Sequence, residues 1–197
     1  MGAPKALVQL ASRPLVSRVV STVGSAGLDP VVVAKPDSPL PRLDCRVLSE
    51  PSEPRHPLTG VLAALGSSAG RGVVSIACDM PFVPAKLLTW LAQLEAPLAV
   101  CEVGGRLEPM LGRYSPAVAD ALGAALASGA AMRDAVAELD PHVISERSVA
   151  RFGDPERIFF NVNSPADLER AEQLLAGDGR FSRGLGSRSP AAPKRFA

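Results

Sequence analysis

The sequence predicts one α/β domain with a mainly parallel β-sheet. Short apolar runs rich in Val and Ile alternate along the chain with segments of helical periodicity, as in β-α-β units. The chain has 197 residues, 47% of them hydrophobic, which suffices for one sizeable core without disulfide or metal support. No apolar run approaches the roughly 20 residues that cross a bilayer, so an integral membrane protein is excluded.

The first half of the chain supplies two helices and three strands. Apolar residues at helical spacing predict a helix over 12–26, which Gly27 ends in a left-handed conformation. A second helix is predicted over 58–69. The strands are predicted at 31–34, 45–48 and 73–78. The unbroken β-branched run of the first one indicates a strand covered on both faces, and the last one is expected to be the most buried strand.

The second half continues the alternation. Pro84 opens a third helix, and a strand at 98–101 turns through Gly104-Gly105 into 107–113, as a hairpin appended to the sheet. The remaining predicted elements are helices over 115–128 and 132–139, a weak strand at 143–144, an extended piece at 159–163 and a helix that begins at Ser164-Pro165.

Charge and composition divide the chain into a domain over 1–176 and a tail over 177–197. The formal net charge is +1, from 21 Lys and Arg against 20 Asp and Glu. The tail carries five basic residues and one acid and is rich in Gly, Ser and Pro, so we expect it to be a disordered, solvated segment without a nucleic-acid partner. The N-terminus has no secretory pattern, which favours a cytoplasmic location.

Residues just after the predicted strands are the first candidates for chemistry, because open α/β sheets bind ligands beyond the carboxyl ends of their strands. Asp79 directly follows the most buried strand, where its carboxylate could hold Mg²⁺ beside a nucleotide phosphate. Spacing alone leaves a second interpretation open, in which Asp79 only caps the following turn. Glu50, past the strand at 45–48, could share that cation, and Glu53 competes with it for the role.

Three further polar residues are candidates for ligand binding. Lys5 could reach a phosphate as a point charge, although a lysine near a terminus is more often solvated. Asn161 and Asn163 alternate along the extended piece at 159–163, which would place both amides on one face. Two asparagines that only stabilise a loop are an equally good interpretation of that pattern.

Five segments, in this order and spacing, resemble the molybdenum cofactor guanylyltransferase family across residues 1–176. The segments are Met1-Gly2-Ala3-Pro4-Lys5, His56-Pro57-Leu58-Thr59-Gly60, Cys78-Asp79-Met80-Pro81, Arg106-Leu107-Glu108-Pro109 and Asn161-Val162-Asn163-Ser164-Pro165. The resemblance implies a Rossmann-like three-layer sandwich of the nucleotide-diphospho-sugar transferase type. It also implies a Mg²⁺-dependent nucleotidyltransferase that joins GMP from GTP to molybdopterin and releases pyrophosphate.

The resemblance also implies roles for individual residues. Lys5 matches the family's phosphate-binding lysine and Asp79 its Mg²⁺ ligand, Glu50 falls near a nucleotide-contacting aspartate, and Asn161 and Asn163 match asparagines on the acceptor side. The implied partners are GTP and the molybdenum cofactor as substrates, with transient contacts to molybdenum cofactor enzymes or chaperones. A monomer is expected.

The chain departs from the family at its start, which corresponds to the Met-Gly of the motif Leu-Ala-Gly-Gly-x-Ser-x-Arg-Met-Gly. We therefore expect the family's first strand and most of its glycine-rich phosphate loop to be missing, for instance through a start codon placed too far downstream. That strand would lie between those at 31–34 and 73–78, so two sheet edges would be unpaired. Two alternative functions remain. The chain could be a related NTP transferase that uses CTP or another phosphorylated acceptor, or it could be an inactive nucleotide-binding protein.

Overall fold

The computed structural model describes residues 4–183 and has the predicted α/β architecture. Strands lie between helices that pack on both sheet faces, and neighbouring residues of one central strand point into different cores. Leu98 and Val100 enter the core under the helices at 57–66 and 119–128. Ala99 and Cys101 enter the core under the helix at 85–92. This alternation is the pleat of a strand covered on both sides, so the molecule is a three-layer sandwich.

The helices and strands follow each other along the chain as predicted, with a few short additions. The strands are β1 (Gln9–Leu10), β2 (Arg13–Pro14), β3 (Val31–Ala34), β4 (Arg46–Ser49), β5 (Val73–Ile76), β6 (Leu98–Val103), β7 (Arg106–Tyr114) and β8 (His142–Ile144). The helices are α1 (Leu15–Ser25), α2 (Pro57–Gly66), α3 (Ala85–Ala92), α4 (Ala119–Ser128), α5 (Met132–Ala137), α6 (Glu146–Val149), α7 (Pro155–Ile158) and α8 (Pro165–Arg183).

The strand directions confirm a mainly parallel sheet, with β7 as the reversed strand. β3 pairs in parallel with β4, and a four-stranded sheet has the order β5-β7-β6-β8. β7 is antiparallel to both β5 and β6, and β6 is parallel to β8, so β5, β6 and β8 run in one direction. β6 and β7 form the predicted hairpin, and β7 is inserted between β5 and β6.

Residue burial explains why β7 lies inside the sheet. Leu111 and Tyr114 are fully buried, and β7 is long enough to pair with β5 through 111–114 while it also pairs with β6. The register shifts between Val100 and Cys101, and the Tyr114 hydroxyl donates to the carbonyl oxygen of Pro109 at 2.7 Å. This buried hydrogen bond fixes the irregular stretch that follows Glu108.

Gly112 is required where β7 passes β6. A Cβ atom there would lie 2.6 Å from the carbonyl oxygen of Ala99 and 2.8 Å from Cγ1 of Val100. We expect Gly112→Ala to lower the free energy of unfolding by about 1–3 kcal/mol, because backbone must shift to admit the methyl group. Gly123→Ala, on open space in α4, is the matched control and should be neutral or slightly stabilising. Urea denaturation of both variants checks this, and equal stabilities would contradict it.

A large cavity separates β3 from β5. Its volume is about 1190 Å³, and its walls are the facing sides of β3 and β5 together with the valines of α1 at 16, 19, 20 and 23. Within residues 4–183, no ladder joins β3 to β5, so each of these strands has a free edge toward the cavity. This agrees with the expectation that two sheet edges are unpaired.

The last helix extends past residue 176, where the tail is predicted to begin. α8 continues to Arg183, so residues 177–183 of the predicted tail belong to this helix. An N-terminal cap at Ser164 and good helix formers such as Leu, Glu and Ala start the helix, and the Gly and Ser after 176 do not end it at once. The remainder of the predicted tail, 184–197, lies outside the described residues, and the division at 176 stays a prediction. Among residues 4–183, no helix is long and apolar enough to cross a membrane.

Candidate active site

Asp79 lies at the carboxyl end of β5, as the sequence predicts. Its carboxylate oxygen Oδ2 accepts a hydrogen bond from Lys5 Nζ at 2.8 Å, and the two groups form an ion pair. The Asp79 side chain is 14% exposed and that of Lys5 is 45% exposed. The ammonium group is therefore near solvent, where a phosphate can reach it, while the carboxylate is fixed within the wall of the cavity.

Asn163 completes a cluster with these two residues. Lys5 Nζ also donates to Asn163 Oδ1, so that one ammonium group bridges a carboxylate and an amide oxygen. The backbone N–H of Val162 donates to the carbonyl oxygen of Asp79 at 2.9 Å, which fastens the loop before α8 to the end of β5. Three distant parts of the chain thus meet at one point.

The loop that carries Asn163 is held by Asp167 in the first turn of α8. Its Oδ2 accepts from the backbone N–H groups of Asn163 at 3.0 Å and Ser164 at 2.8 Å, and from the Ser164 hydroxyl at 2.8 Å. The hydrogen bond from the Ser164 hydroxyl is the largest cause of the lowered pKa of Asp167. The cap of α8 therefore sets the position of the amide that contacts Lys5.

Asn161 has a different hydrogen-bond partner from Asn163. Its side-chain amide donates to the carbonyl oxygen of Phe159 at 2.9 Å, within its own loop. Residues 159–163 lie in the loop between α7 and α8 and belong to no β-strand. Asn163 reaches the cluster, and Asn161 stabilises the loop.

Glu50 follows β4 and lines the same cavity as Asp79, but its carboxylate contacts different groups. Lys35 Nζ lies 3.6 Å from Oε1, and the Thr59 hydroxyl donates to Oε2. Glu53, the alternative considered from the sequence, pairs with Arg55 at 3.5 Å, and about three quarters of both side chains is exposed. Glu50 is thus the better placed of the two acids, because it lines the cavity and Glu53 does not.

Glu108 is a residue that sequence reasoning missed. From the sequence it is only one residue of the segment Arg106-Leu107-Glu108-Pro109, whereas in the structure its side chain is half-buried. Burial raises the pKa of Glu108, the charge of Arg133 opposes this and the charge of Asp79 adds to it. Pro109, the next residue, is buried and anchors the hairpin in the core here, which no pattern in the sequence indicates.

The raised pKa predicts a pH-dependent effect of Glu108→Gln. At pH values between the pKa of Glu108 in the unfolded chain and its raised pKa in the folded protein, the native state binds more protons at this carboxyl than the unfolded state does. The free energy of unfolding therefore falls as the pH rises through this range. Glutamine does not titrate, and we expect the variant at pH 7 to melt about 1–3 °C above the wild type, with a gap that closes below about pH 4. Thermal unfolding of both proteins at several pH values measures this difference in melting temperature. Glu95→Gln, at an exposed carboxyl, is the control. A difference that did not depend on pH would contradict the expectation.

The donor groups of the cluster suit Mg²⁺ bound together with a nucleotide. Mg²⁺ is usually held by one or two carboxylates plus substrate phosphates and water, and Asp79 supplies one such carboxylate beside the amide oxygen of Asn163. Over residues 4–183, no group of three or more His, Cys, Asp or Glu side chains forms a metal cage. Burial and the adjacent Asp79 charge raise the pKa of the Cys78 thiol to about 11, so it is not a ready thiolate ligand.

Comparison with protein families gives a match to the MobA-like NTP transferase domain over residues 1–143. Among curated proteins, a molybdenum cofactor guanylyltransferase from Cereibacter sphaeroides is 39% identical over 184 residues, which cover 90% of this chain and 91% of that protein. A molybdenum cofactor guanylyltransferase from Shewanella sediminis is 27% identical over 181 residues, covering 89% and 90% of the two chains.

Solved structures show the same fold. Molybdopterin-guanine dinucleotide biosynthesis protein A from Archaeoglobus fulgidus superposes with a TM-score of 0.74 at 24% identity, over 89% of this chain and 92% of that one. The 2-C-methyl-D-erythritol 4-phosphate cytidylyltransferase from Thermus thermophilus superposes with a TM-score of 0.65 at 20% identity, over 88% and 94% of the chains. The fold expected from the sequence is thereby confirmed.

Proposed function

This chain belongs to the MobA-like NTP transferase family, and from that premise we propose that it transfers GMP from GTP to molybdopterin with release of pyrophosphate. The observation that carries the proposal is the Lys5–Asp79–Asn163 cluster at the carboxyl end of β5, in a chain 39% identical to a molybdenum cofactor guanylyltransferase over nine tenths of its length. The family's fold serves several nucleotides, so the identity of the nucleotide rests on the relatives and not on the fold.

The proposed reaction is an in-line displacement at the α-phosphorus of GTP. A phosphate oxygen of molybdopterin attacks the α-phosphorus of GTP, the bond from that phosphorus to the bridging oxygen breaks, and pyrophosphate leaves with the bonding electrons. Little proton transfer is needed, so the protein acts mainly by positioning the two substrates and by stabilising charge. The ammonium group of Lys5 is the charge available for the phosphates, since it is close to half exposed.

The proposal assigns Mg²⁺ to Asp79, with Asn163 beside it. When bound, the cation would neutralise charge on the phosphates and favour departure of pyrophosphate. Asp79 would hold it from the wall of the cavity, and Lys5 would move from the carboxylate to the phosphates. Glu50 would border the nucleotide from the wall of the same cavity, and Asn161 would act on the acceptor side through the shape of its loop.

We further propose a cytoplasmic monomer that makes transient contacts with molybdenum cofactor enzymes or chaperones. The names of the curated relatives, which place their activity on the molybdenum cofactor, support contacts with proteins that carry or use that cofactor. Size-exclusion chromatography with light scattering tests the monomer, for which a mass near 20.4 kDa is expected. A mass twice as large would contradict it.

The function itself is tested by pyrophosphate release. The protein is incubated with molybdopterin, Mg²⁺ and each of the four nucleoside triphosphates in turn. Release with GTP, at least tenfold faster than with CTP, is the expected result. Faster release with CTP would favour the alternative of a cytidylyltransferase. If none of the four nucleotides gave pyrophosphate release, the alternative of an inactive nucleotide-binding protein would be favoured.

A further inference from the structure

A second cluster of charged side chains lies at the carboxyl ends of β3 and β4. Lys35 directly follows β3, and Glu50 directly follows β4. Their ion pair is largely shielded from solvent, with side chains 16% and 13% exposed. Lys35 Nζ also donates to the carbonyl oxygens of Pro51 at 2.5 Å and Pro54 at 3.1 Å.

Thr59 ties this cluster to the first turn of α2. Its hydroxyl donates to Glu50 Oε2, lies 2.6 Å from the carbonyl oxygen of His56 and is 3.4 Å from Lys35 Nζ. His56 caps the same turn, because its Nδ1 accepts from the backbone N–H of Leu58 at 3.2 Å. One ammonium group therefore joins the end of β3, the loop after β4 and the start of α2.

Lys35 and Glu50 differ in what they face. Glu50 lines the cavity that also reaches Asp79, whereas Lys35 is not among the residues of its wall. A carboxylate at the wall of a site for a triphosphate would repel the ligand if its charge were not compensated. A partly buried carboxylate that loses its only ion-pair partner is also costly to the fold.

We infer that Lys35 is a positioning residue for the nucleotide: it cancels the charge of Glu50 and fixes the loop over 50–56, so that this side of the cavity accepts GTP. The inference rests on the proposed function. Because Lys35 contacts neither Lys5 nor Asp79, its effect falls on binding rather than on transfer. Loss of the ammonium group therefore weakens nucleotide binding and leaves the chemical step nearly unchanged.

The test compares Lys35→Met with Lys35→Arg in steady-state kinetics. Lys35→Met is expected to raise the KM for GTP at least tenfold while kcat changes less than about threefold, and Lys35→Arg, which keeps the charge and the donors, is expected to restore most of the affinity. Thr59→Val should raise the KM in the same direction by a smaller factor. Lys86→Met, at an exposed lysine of α3, is the control and should leave both constants unchanged.

A double substitution tests whether Lys35 acts through Glu50. If it does, Lys35→Met combined with Glu50→Gln will bind GTP better than the product of the two single effects predicts, because the uncompensated charge is gone. Independent, multiplicative effects would overturn the inference, and so would a fall in kcat as large as the rise in KM.

Limited trypsin digestion without nucleotide separates this inference from the proposed function. Lys35→Met should speed cleavage after the exposed Arg55 several-fold, because the loop loses its anchor, whereas Lys86→Met should not. An unchanged cleavage rate would overturn the inference even if GTP is a substrate. If the wild-type protein turns over no GTP, the proposed function fails instead.

Discussion

Asp79→Asn is expected to lower the turnover of GTP by about 10²–10³-fold at saturating Mg²⁺. The substitution keeps the shape of the side chain but removes the negative charge that would hold the cation beside the phosphates. It also removes the ion pair with Lys5, whose ammonium group is 2.8 Å from Asp79 Oδ2. Turnover is measured as pyrophosphate release with GTP and molybdopterin.

The stability of this variant should remain close to that of the wild type. The ion pair between Lys5 and Asp79 includes a lysine that is 45% exposed, and such pairs contribute little to folding. Asp120→Asn, at an exposed carboxylate of α4, is the matched control and should keep full activity. If Asp79→Asn retained activity within a factor of three, Asp79 would be only the cap of a turn.

Lys5→Met is expected to lower turnover by about 10²-fold and to weaken GTP binding as well. The reason differs from that for Asp79, because Lys5 would contact the phosphates themselves as a point charge. Lys5→Arg should recover only part of the activity, since the planar guanidinium cannot bridge Asp79 and Asn163 in the same geometry. Kinetics and direct binding measurements on both variants check these expectations.

Lys86→Met controls for the loss of one positive charge in the Lys5 experiment. It should show wild-type kinetics, because Lys86 is exposed on α3. Wild-type turnover by Lys5→Met would mean that the ammonium group is only a solvated partner of Asp79, the interpretation that sequence position alone favoured. The phosphate-binding role of Lys5 would then have to be abandoned.

Local patterns were enough to predict most of the fold. The apolar run at 73–78 predicted a strand, and 3.6-residue periodicity with Pro or Gly at the ends predicted the helices. The expectation that this strand is the most buried one was wrong, because β5 lines the cavity and is only partly buried, whereas Leu98, Ala99, Val100 and Cys101 of β6 are buried. The place of β7 between β5 and β6 could not be predicted. A hairpin pattern predicts that its two strands pair with each other, but it does not indicate with which other strand the hairpin pairs. The short helix α7 was too short to show a period.

The candidate site was predicted residue by residue but not as a set of contacts. Lys5, Asp79 and Asn163 lie together because a loop and a helix cap far apart in the chain bring them there, and no spacing rule contains that information. Glu50 was predicted from its place after a strand. Its ion-pair partner Lys35 was not predicted, because a lysine after a strand is usually solvated and only the pairing of β3 with β4 brings the two residues together. Asn161 differs from Asn163 in that its amide donates to the carbonyl oxygen of Phe159 within its own loop, a contact that the alternating pattern does not predict.

The central claim is that this chain binds GTP with Mg²⁺ through the cluster of Lys5, Asp79 and Asn163. Isothermal titration of the protein with GTP and with CTP, each with Mg²⁺ and repeated for Asp79→Asn, tests it most directly. The account predicts that GTP binds the wild-type protein at least tenfold more tightly than CTP and that Asp79→Asn loses most of this affinity. Absence of GTP binding by the wild-type protein, or equal binding by Asp79→Asn, would contradict it.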